Sequence, residues 1–400
     1  MPCHICLPAL HPLHGTRLAS LMSMTKNHRS SSKDRIRYAV IGLGNIAQSA
    51  VLPGFAHARE NSELAALVSA DPEKLEALGK KYNVRSCYAF HQLEDCLASG
   101  EIDAVYIATP NSTHCKLAVH AARFGVHVLC EKPMAVHPSA CRTMIEATER
   151  AGVQLMIAYR LHFQKANLEA VRIAQSGKLG ELKIFNSVFS IQIQDPENIR
   201  LQKRMGGGPL FDIGTYCINA ARYLFQEEPE EVIGFSDHSA DPRFTEVDEL
   251  CSAILKFSNG RVATFTVSFG AYGSSSYELI GTEGRLRLEN AYDYGAPMEL
   301  QVTTGPKYTT TKKKYPKSDQ FGPELVYFSD CVLNGKTPEP SGYEGLADIQ
   351  VIEALYDSMA TGQPVSTRVP VQVRHPAFNQ VITRPGISQP RMIHAKSPSA

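Results

Sequence analysis

The chain has 400 residues, of which 43% are hydrophobic, so it is long enough for two domains with sizeable cores. Its 41 Lys and Arg residues balance 40 Asp and Glu residues, and the net charge of +1 gives no electrostatic case for binding nucleic acid or acidic membranes. Ten Cys without regular spacing are typical of reduced thiols in a cytoplasmic protein. No apolar run approaches the roughly 18 residues that a transmembrane helix needs.

Residues 1–33 stand apart because they carry cationic residues and no acidic one. Their apolar pieces are too short for the core of a secretory signal, so we expect a disordered leader, or a true start at Met22 or Met24. The leader also holds one set of candidate metal ligands, namely Cys3, Cys6, His11 and His14. Four ligands so close together leave little room to close a tetrahedron, and we expect no metal in this protein.

A predicted strand runs into Gly42-Leu-Gly44-Asn45-Ile46-Ala47, which has the G-x-G-x-x-A form of the dinucleotide fingerprint. Gly42 allows the tight turn, Gly44 lets a pyrophosphate approach the backbone, and Ala47 permits close packing of helix on strand. The helix that follows directs its positive end at the phosphates. We expect Asn45 and Ile46 to join the two glycines at this site. A glycine turn in some other α/β domain is the alternative.

The residue at the end of the second predicted strand indicates whether the dinucleotide is NAD(H) or NADP(H). An acid at this position would bind the ribose 2′-hydroxyl and repel a 2′-phosphate. Here Ser69 occupies the position and Lys74 is within reach of a phosphate, although a slip of one or two residues would bring Asp71 to the ribose. The pattern favours NADP(H), with NAD(H) left open.

Strands and helices alternate over residues 34–158, which predicts a Rossmann-type α/β domain with a parallel sheet. We predict strands over 37–41, 64–69, 104–108, 126–130 and 154–158, and helices from about 114 and over 138–151. The segments 109–111, 131–133 and 159–160 then leave the sheet at the carboxyl edge, where ligands bind in such folds. Lys132, followed by Pro133, is a candidate functional cation at this edge. A surface salt bridge with Glu131 is its alternative.

The pattern changes over residues 159–368, which we expect to form an α+β domain with a large, mainly antiparallel, open-faced sheet. We predict strands over 182–194, 250–257, 262–269, 277–281 and 285–289, and helices over 164–176, 321–334 and 345–361. Ser258-Asn259-Gly260 between two apolar runs predicts a hairpin. Residues 369–400 contain several prolines and are expected to form an extended tail.

Three glycines at 206–208 precede Asp212 and Tyr216, which are four residues apart and would share one face of a helix. Consecutive glycines let the backbone pass close to a bulky group. The alternative is that Asp212 caps the helix and Tyr216 is an ordinary amphipathic residue.

Together these segments resemble the glucose–fructose oxidoreductase/inositol dehydrogenase family from about residue 35 to residue 365. Four motifs carry the resemblance: Gly42-x-Gly44-x-x-Ala47, Thr109-Pro110-Asn111-x-x-His114, Glu131-Lys132-Pro133 and Gly206-Gly-Gly-x-Leu-x-Asp212-x-Gly-x-Tyr216. Many members have His where this chain has Tyr216. The tyrosine is similar to a subset that includes glucose–fructose oxidoreductase, dimeric dihydrodiol dehydrogenase and D-xylose 1-dehydrogenase, and residues 206–224 most resemble the first of these.

The resemblance implies an NADP-dependent oxidoreductase that acts on a CH–OH group of a sugar or cyclic polyol, with the C1 carbon of an aldose favoured. The expected cofactor contacts are Gly42, Gly44, Asn45, Ile46, Ser69, Lys74, Thr109, Pro110, Asn111, His114, Glu131, Lys132 and Arg160. The expected substrate contacts are Tyr159, Asn219 and Tyr272. The resemblance also implies a homodimer or homotetramer that assembles through the open face of the second sheet.

The chemistry assigns roles to three of these residues. A hydroxyl that loses a hydride must also lose a proton, so the site needs a base near the reacting oxygen and a cation to stabilise the developing alkoxide. We expect Tyr216 to exchange the proton, Lys132 to polarise the oxygen and favour the phenolate, and Asp212 to orient Lys132.

Two other functions fit the same sequence. One is an aldose or dihydrodiol dehydrogenase that releases its cofactor in each cycle, whereas glucose–fructose oxidoreductase keeps the cofactor bound. The other is a non-catalytic dinucleotide sensor like the galactose-pathway co-repressor, which the presence of both Lys132 and Tyr216 argues against. No export signal is visible, although glucose–fructose oxidoreductase is exported, and we expect a cytoplasmic protein.

Overall fold

The strands in the first half of the chain form one fully parallel sheet, as the sequence predicts, with six strands rather than the predicted five. The computed structural model describes residues 35–369 and 374–398, so the leader and its candidate metal ligands lie outside the described residues. The strands are β1 (Ile36–Ile41), β2 (Ser62–Ser69), β3 (Ser86–Ala89), β4 (Ala104–Ile107), β5 (His127–Glu131) and β6 (Leu155–Ala158). Their order in the sheet is β3-β2-β1-β4-β5-β6.

This strand order places a topological switch point between β1 and β4, which pair in parallel with Val40 opposite Tyr106. In open α/β sheets, the crevice at the carboxyl ends of such a strand pair is the usual ligand site. The central strands are buried on both faces, which explains why their sequences are continuous apolar runs. The fold therefore brings Gly42, after β1, next to Ala108, after β4.

Helices cover both faces of this sheet. A five-residue π-helical turn, Ala47–Val51, follows the fingerprint. The α-helices are α1 (Leu52–Gly54), α2 (Pro72–Tyr82), α3 (Leu93–Ala98), α4 (His114–Arg123) and α5 (Pro138–Ala151). Helix α5 has the predicted bounds because Pro138 stands in its first turn and Gly152, with φ of 66°, ends it.

The second half contains a nine-stranded sheet that is mainly antiparallel, and the predicted fold class is confirmed. Its strands are β7 (Leu182–Ser190), β8 (Glu231–Asp237), β9 (Leu250–Lys256), β10 (Val262–Ser268), β11 (Ser274–Gly281), β12 (Gly284–Glu289), β13 (Met298–Thr304), β14 (Thr309–Tyr315) and β16 (Val365–Ser366). The order is β14-β13-β12-β11-β7-β10-β9-β8-β16, and only the β7–β10 pair is parallel within the described sheet. The predicted hairpin is confirmed, since Ser258–Gly260 joins β9 to β10.

Helices pack on one face of this sheet and leave the other face open. They are α6 (Lys165–Gln175), α7 (Thr215–Phe225) and α9 (Gly342–Thr361), whereas α8 (Gly322–Asn334) packs against β1 and β2 of the first sheet. The open face exposes large apolar side chains, namely Ile184, Val188, Ile233, Phe235 and Ile254. No helix within residues 35–369 and 374–398 is both long and apolar enough to cross a lipid bilayer.

The described part of the tail, residues 374–398, packs against the rest of the protein. It returns to the body of the protein, where the two-residue strand β17 (Arg384–Pro385) pairs with β15 (Ser318–Asp319). Residues 386–398 then run back to the fingerprint turn. The described residues of the predicted tail therefore contact both halves of the structure. The predicted boundary at residue 158 stays a prediction.

A buried charge cluster joins α7 to α9. Arg222 is fully buried and donates hydrogen bonds to Glu344 at 2.8 Å, to Asp348 at 2.5 Å and to Glu228 at 2.5 Å. Burial raises the pKa of Asp348 to about 7, and Arg222 opposes that rise. Because Glu344 and Asp348 are also buried, Arg222 is the cation on which their charged forms depend.

We predict that Arg222→Met lowers the free energy of unfolding by about 3–5 kcal/mol, because it leaves buried carboxylates without a cation. The loss should grow between pH 6 and pH 8, where Asp348 would otherwise ionise. Urea unfolding measures both effects. The matched control is Arg172→Met, which removes a half-exposed ion pair with Glu169 and should cost less than about 1 kcal/mol. Equal losses in the two variants would contradict the assigned role.

Candidate functional site

A cavity of about 910 Å³ lies at the carboxyl edge of the first sheet, where the second sheet faces it. Its walls come from the fingerprint turn, from the loops after β4 and β5, from the loop before α7 and from the second sheet. The predicted residues that line it are Gly42, Gly44, Asn45, Ile46, Thr109, Pro110, Asn111, Glu131, Lys132, Arg160, Asp212, Tyr216 and Tyr272. The structure thus brings most of the predicted site together.

The two fingerprint positions favour glycine for different structural reasons. Gly42 has φ of 91°, and a Cβ atom on it would lie 2.6 Å from the carbonyl oxygen of Ala108. A Cβ atom on Gly44 would meet no atom within 4 Å, so the backbone there faces open space. The helical turn begins beside this space, where the Gln48 amide donates to the Gly44 carbonyl. The residues present therefore fit a dinucleotide pyrophosphate.

His114 is not on the cavity, contrary to the prediction. It is fully buried, and its ring nitrogens lie 2.9 Å from the Pro133 carbonyl oxygen and 3.0 Å from the Thr109 carbonyl oxygen. Burial lowers the pKa of His114. The side chain connects the loops after β4 and β5, so its contribution to the site is to position their backbones.

Ser69 and Lys74 also do not line the cavity in the described structure. Ser69 is buried and accepts a hydrogen bond from the Asp71 amide at 3.1 Å. Asp71 caps α2 by accepting from the amides of Glu73 and Lys74, and the Lys74 ammonium lies 3.9 Å from its carboxylate. Contact of Ser69 and Lys74 with a 2′-phosphate stays a prediction.

Lys132 points from the end of β5 into the cavity. Its ammonium donates to the Asp212 carbonyl oxygen at 2.8 Å and to the Asp212 carboxylate at 3.1 Å, and it lies 4.7 Å from the centre of the Tyr216 ring. Glu131 accepts a hydrogen bond from Tyr106 at 2.8 Å. The partner of Lys132 is therefore Asp212, as expected.

Asp212 sits in a π-helical turn, Leu210–Gly214, that leads into α7. Its second carboxylate oxygen accepts from Arg200 at 2.7 Å. Burial would raise the pKa of Asp212, but the charges of Arg200 and Lys132 outweigh it and the pKa falls well below its ordinary value. Sequence reasoning missed Arg200, whose position six residues before the three glycines was the available signal.

Tyr216 lies between two cations. Arg160 is buried and donates from Nε to the Tyr216 hydroxyl at 3.2 Å, while Lys132 approaches the face of the ring. Arg160 is held in place by the Tyr292 carbonyl oxygen at 2.5 Å and by Gln320. Burial alone would lower the pKa of Lys132 and Arg160, but both are raised by the negative groups around them. The Tyr216 hydroxyl is therefore flanked by two cationic side chains at the wall of the cavity.

Two predicted substrate contacts point away from the cavity. Tyr159 is buried and donates to Asp348 at 2.6 Å, and Asn219 is buried and donates to Glu344 at 2.7 Å. Both belong to the charge cluster around Arg222 and do not line the cavity. Tyr272 is 90% exposed and does line the cavity.

No group of three or more His, Cys, Asp or Glu residues suited to a metal ion occurs in the described part of the chain.

Comparisons with known proteins agree with this geometry. Residues 36–159 match the model of the "Oxidoreductase family, NAD-binding Rossmann fold", and residues 167–287 match the "GFO/IDH/MocA C-terminal domain". An uncharacterized oxidoreductase of Rhizobium meliloti is 32% identical over 82% of this chain and 98% of its own length. The NADP(+)-dependent D-xylose 1-dehydrogenase of Haloarcula marismortui is 31% identical over 84% of this chain and 94% of its own.

Among solved structures, the aldose-aldose oxidoreductase of Caulobacter crescentus in complex with glycerol is similar, with a TM-score of 0.79 and 36% identity over 83% of this chain and 99% of that one. The chain belongs to the GFO/IDH/MocA family of Rossmann-fold oxidoreductases, and the resemblance seen in its motifs is confirmed. It is an NAD(P)-dependent oxidoreductase.

The two glycines give a matched test of the dinucleotide site. We predict that Gly44→Val leaves stability unchanged but lowers affinity for NADPH at least tenfold, because its side chain fills the open space beside the turn. Gly42→Ala should instead lose about 1–3 kcal/mol of stability, because φ of 91° strains any residue with a Cβ atom. NADPH fluorescence titration and urea unfolding separate the two effects. Unchanged NADPH affinity in Gly44→Val would contradict the assignment.

Proposed function

We propose that the protein transfers a hydride between NADP(H) and a sugar, with the C1 carbon of an aldose as the reacting position. The observation that carries the proposal is the Tyr216 hydroxyl, held by Arg160 and flanked by Lys132 on the cavity that contains the fingerprint. The sugar is supported by the names of the relatives, a D-xylose dehydrogenase and an aldose-aldose oxidoreductase. The phosphorylated cofactor is supported by the NADP(+) dependence in the first name.

Bound nicotinamide supplies the hydride acceptor for sugar oxidation and the hydride donor for the reverse reaction. The reacting carbon of the sugar loses its hydrogen as a hydride, and the hydroxyl on that carbon loses its proton to the Tyr216 oxygen, so a carbonyl group forms and charge and atoms balance. Lys132 stabilises negative charge on the sugar oxygen, and Arg160 donates a hydrogen bond to the Tyr216 oxygen that takes the proton. Asp212 orients Lys132 through the 3.1 Å ion pair. In the reverse direction, Tyr216 returns the proton.

The test follows the absorbance of reduced nicotinamide in freshly purified protein while glucose and then fructose are added. We expect a band that rises with the first sugar and falls with the second. A band that appears only when NADP⁺ or NAD⁺ is supplied would instead favour an aldose or dihydrodiol dehydrogenase with an exchangeable cofactor. No change with any sugar would favour the non-catalytic sensor and contradict the proposal.

In the same assay, Tyr216→Phe should slow the sugar-dependent absorbance change about 100-fold or more, because the proton acceptor is lost. NADPH binding should be unchanged, since the ring that packs against Lys132 remains. Tyr294→Phe is the matched control, because Tyr294 lines the same cavity and also stacks on Arg160. Full turnover in Tyr216→Phe would overturn the assigned role.

We also propose that two chains pair through the open face of the second sheet. Its exposed apolar side chains Val188, Ile233, Phe235 and Ile254 surround a shallow cavity of about 800 Å³, and clustered exposed apolar side chains mark protein–protein interaction sites. A cytoplasmic location is supported by the eight described cysteines, which are all free thiols.

We predict that Phe235→Glu combined with Ile254→Glu converts the assembly to monomers, because two buried charges would face each other across the interface. Phe235 and Ile254 are 65% and 47% exposed in the single chain, so its fold should survive. Size-exclusion chromatography with light scattering measures the mass. Phe90→Glu, an exposed apolar residue in the first half, is the control. An unchanged mass for the double variant would exclude this face.

A further inference from the structure

The tail segment 386–398, called the strap below, is fastened to the first turn after the fingerprint. Gln48 is buried, and its side chain donates to the Ile393 carbonyl at 2.8 Å and accepts from the Ile393 amide at 2.8 Å. Asn45 donates to the Lys396 carbonyl oxygen at 2.8 Å. These are bonds to the strap backbone, so they fix the path of the chain.

Ion pairs hold the strap at both sides of the cavity. His394 lies 2.9 Å from the carboxylate of Asp71, at the end of β2, and 3.3 Å from that of Glu73. Lys396 lies 3.3 Å from Asp195, which follows β7 of the second sheet. The strap therefore reaches from the outer part of the first sheet to a loop of the second.

The strap contributes to the wall of the cavity itself. Gln389, Ser397 and Pro398 line the same space as Gly44 and the Lys132–Tyr216 site. Yet the position beside Gly44 is open, with no atom within 4 Å of where a Cβ atom would stand. The strap thus lies over the phosphate position without filling it.

In this fold, the fingerprint turn binds the pyrophosphate and the end of β2 faces the adenosine ribose. The strap contacts both places, through Asn45 and Gln48 at the turn and through Asp71 at the end of β2. It also brings the His394 imidazole and the Lys396 ammonium to the side of the cavity that holds the fingerprint turn.

We propose that the strap closes over the bound dinucleotide and retains it between turnovers. This inference rests on the proposed function and deepens it. A dinucleotide that stays bound must be reduced by one sugar and reoxidised by a second carbonyl compound in the same cavity. The strap therefore favours hydride exchange between two substrates over a dehydrogenase that releases NADPH in each cycle.

The test measures release of NADPH from the full chain and from a variant that ends at Pro385, using nicotinamide fluorescence after addition of excess NADP⁺. We expect release at least tenfold faster from the shortened chain. Urea unfolding of both chains shows whether the shortened one is folded. An equal rate would overturn the proposal. Slower release or tighter binding in the shortened chain would also overturn it, because the strap would then compete with the dinucleotide.

A second variant avoids any effect of truncation on folding. His394→Ala combined with Lys396→Ala removes side chains that are 53% and 73% exposed, and it leaves the strap backbone in place. We expect release several-fold faster than in the full chain. Lys312→Ala combined with Lys314→Ala, on the edge strand β14, is the matched control and should leave the rate unchanged.

This measurement contains no sugar, so it reports on the strap independently of catalysis. A chain that holds NADPH tightly but shows no sugar-dependent absorbance change would contradict the proposed function and support the strap. A chain that releases NADPH as fast as the shortened variant, yet oxidises sugars, would contradict the strap and support the proposed function.

Discussion

The ion pair between Lys132 and Asp212 is the interaction on which the candidate site depends, because it joins the two halves of the structure at the cavity. Lys132 stands at the end of a buried strand of the first sheet, and Asp212 stands in the turn that begins α7. Buried ion pairs are poor sources of stability, since desolvation offsets most of their attraction. This pair is better explained by position: it fixes an ammonium group 4.7 Å from the ring of Tyr216.

The geometry around the pair comes from an irregular turn. Residues 210–214 form a π-helical turn before the α-helix starts at Thr215, so Asp212 and Tyr216 are not related by a regular α-helical repeat. Their carboxylate and ring nevertheless approach the same ammonium group. π-Helical turns recur at functional sites. A second one follows the fingerprint, at Ala47–Val51, and includes Gln48, which holds the strap.

The sequence was most informative where the apolar periodicity of a segment agrees with the Gly, Pro or Asn residues that bound it. The parallel sheet, helix α5 and the hairpin at Ser258–Gly260 all follow from such local signals. Strand β14, Thr309–Tyr315, carries no such signal, because it is an exposed edge strand made almost entirely of Thr and Lys. Its assignment depends on pairing with β13, which only the tertiary structure provides.

The sequence alone did not predict the direction in which individual side chains point. Tyr159 and Arg160 are adjacent at the same sheet edge, yet Arg160 reaches the cavity while Tyr159 turns into the charge cluster behind it. Edge position predicts nearness to a ligand but does not distinguish these two directions. The position of the strap is even harder to predict from the sequence. About 345 residues separate Gln48 from Ile393, and no local pattern links them.

Burial also sets the charge of the site. Two carboxyl groups, Glu131 and Glu324, lie close enough to Arg160 to lower the positive potential if they were ionised. Burial raises the pKa of both, and neither oxygen of Glu324 has a hydrogen-bond partner among the described residues. Burial thus disfavours the ionised forms of Glu131 and Glu324, whereas the pKa of Asp212 is lowered, so Asp212 is the carboxylate that pairs with Lys132. A positive field of this kind stabilises an oxygen that becomes negative as its hydrogen leaves as hydride, and it does so without any movement of the protein. Burial makes an ionised carboxyl group costly at this site. It therefore preserves the positive potential that the proposed reaction requires.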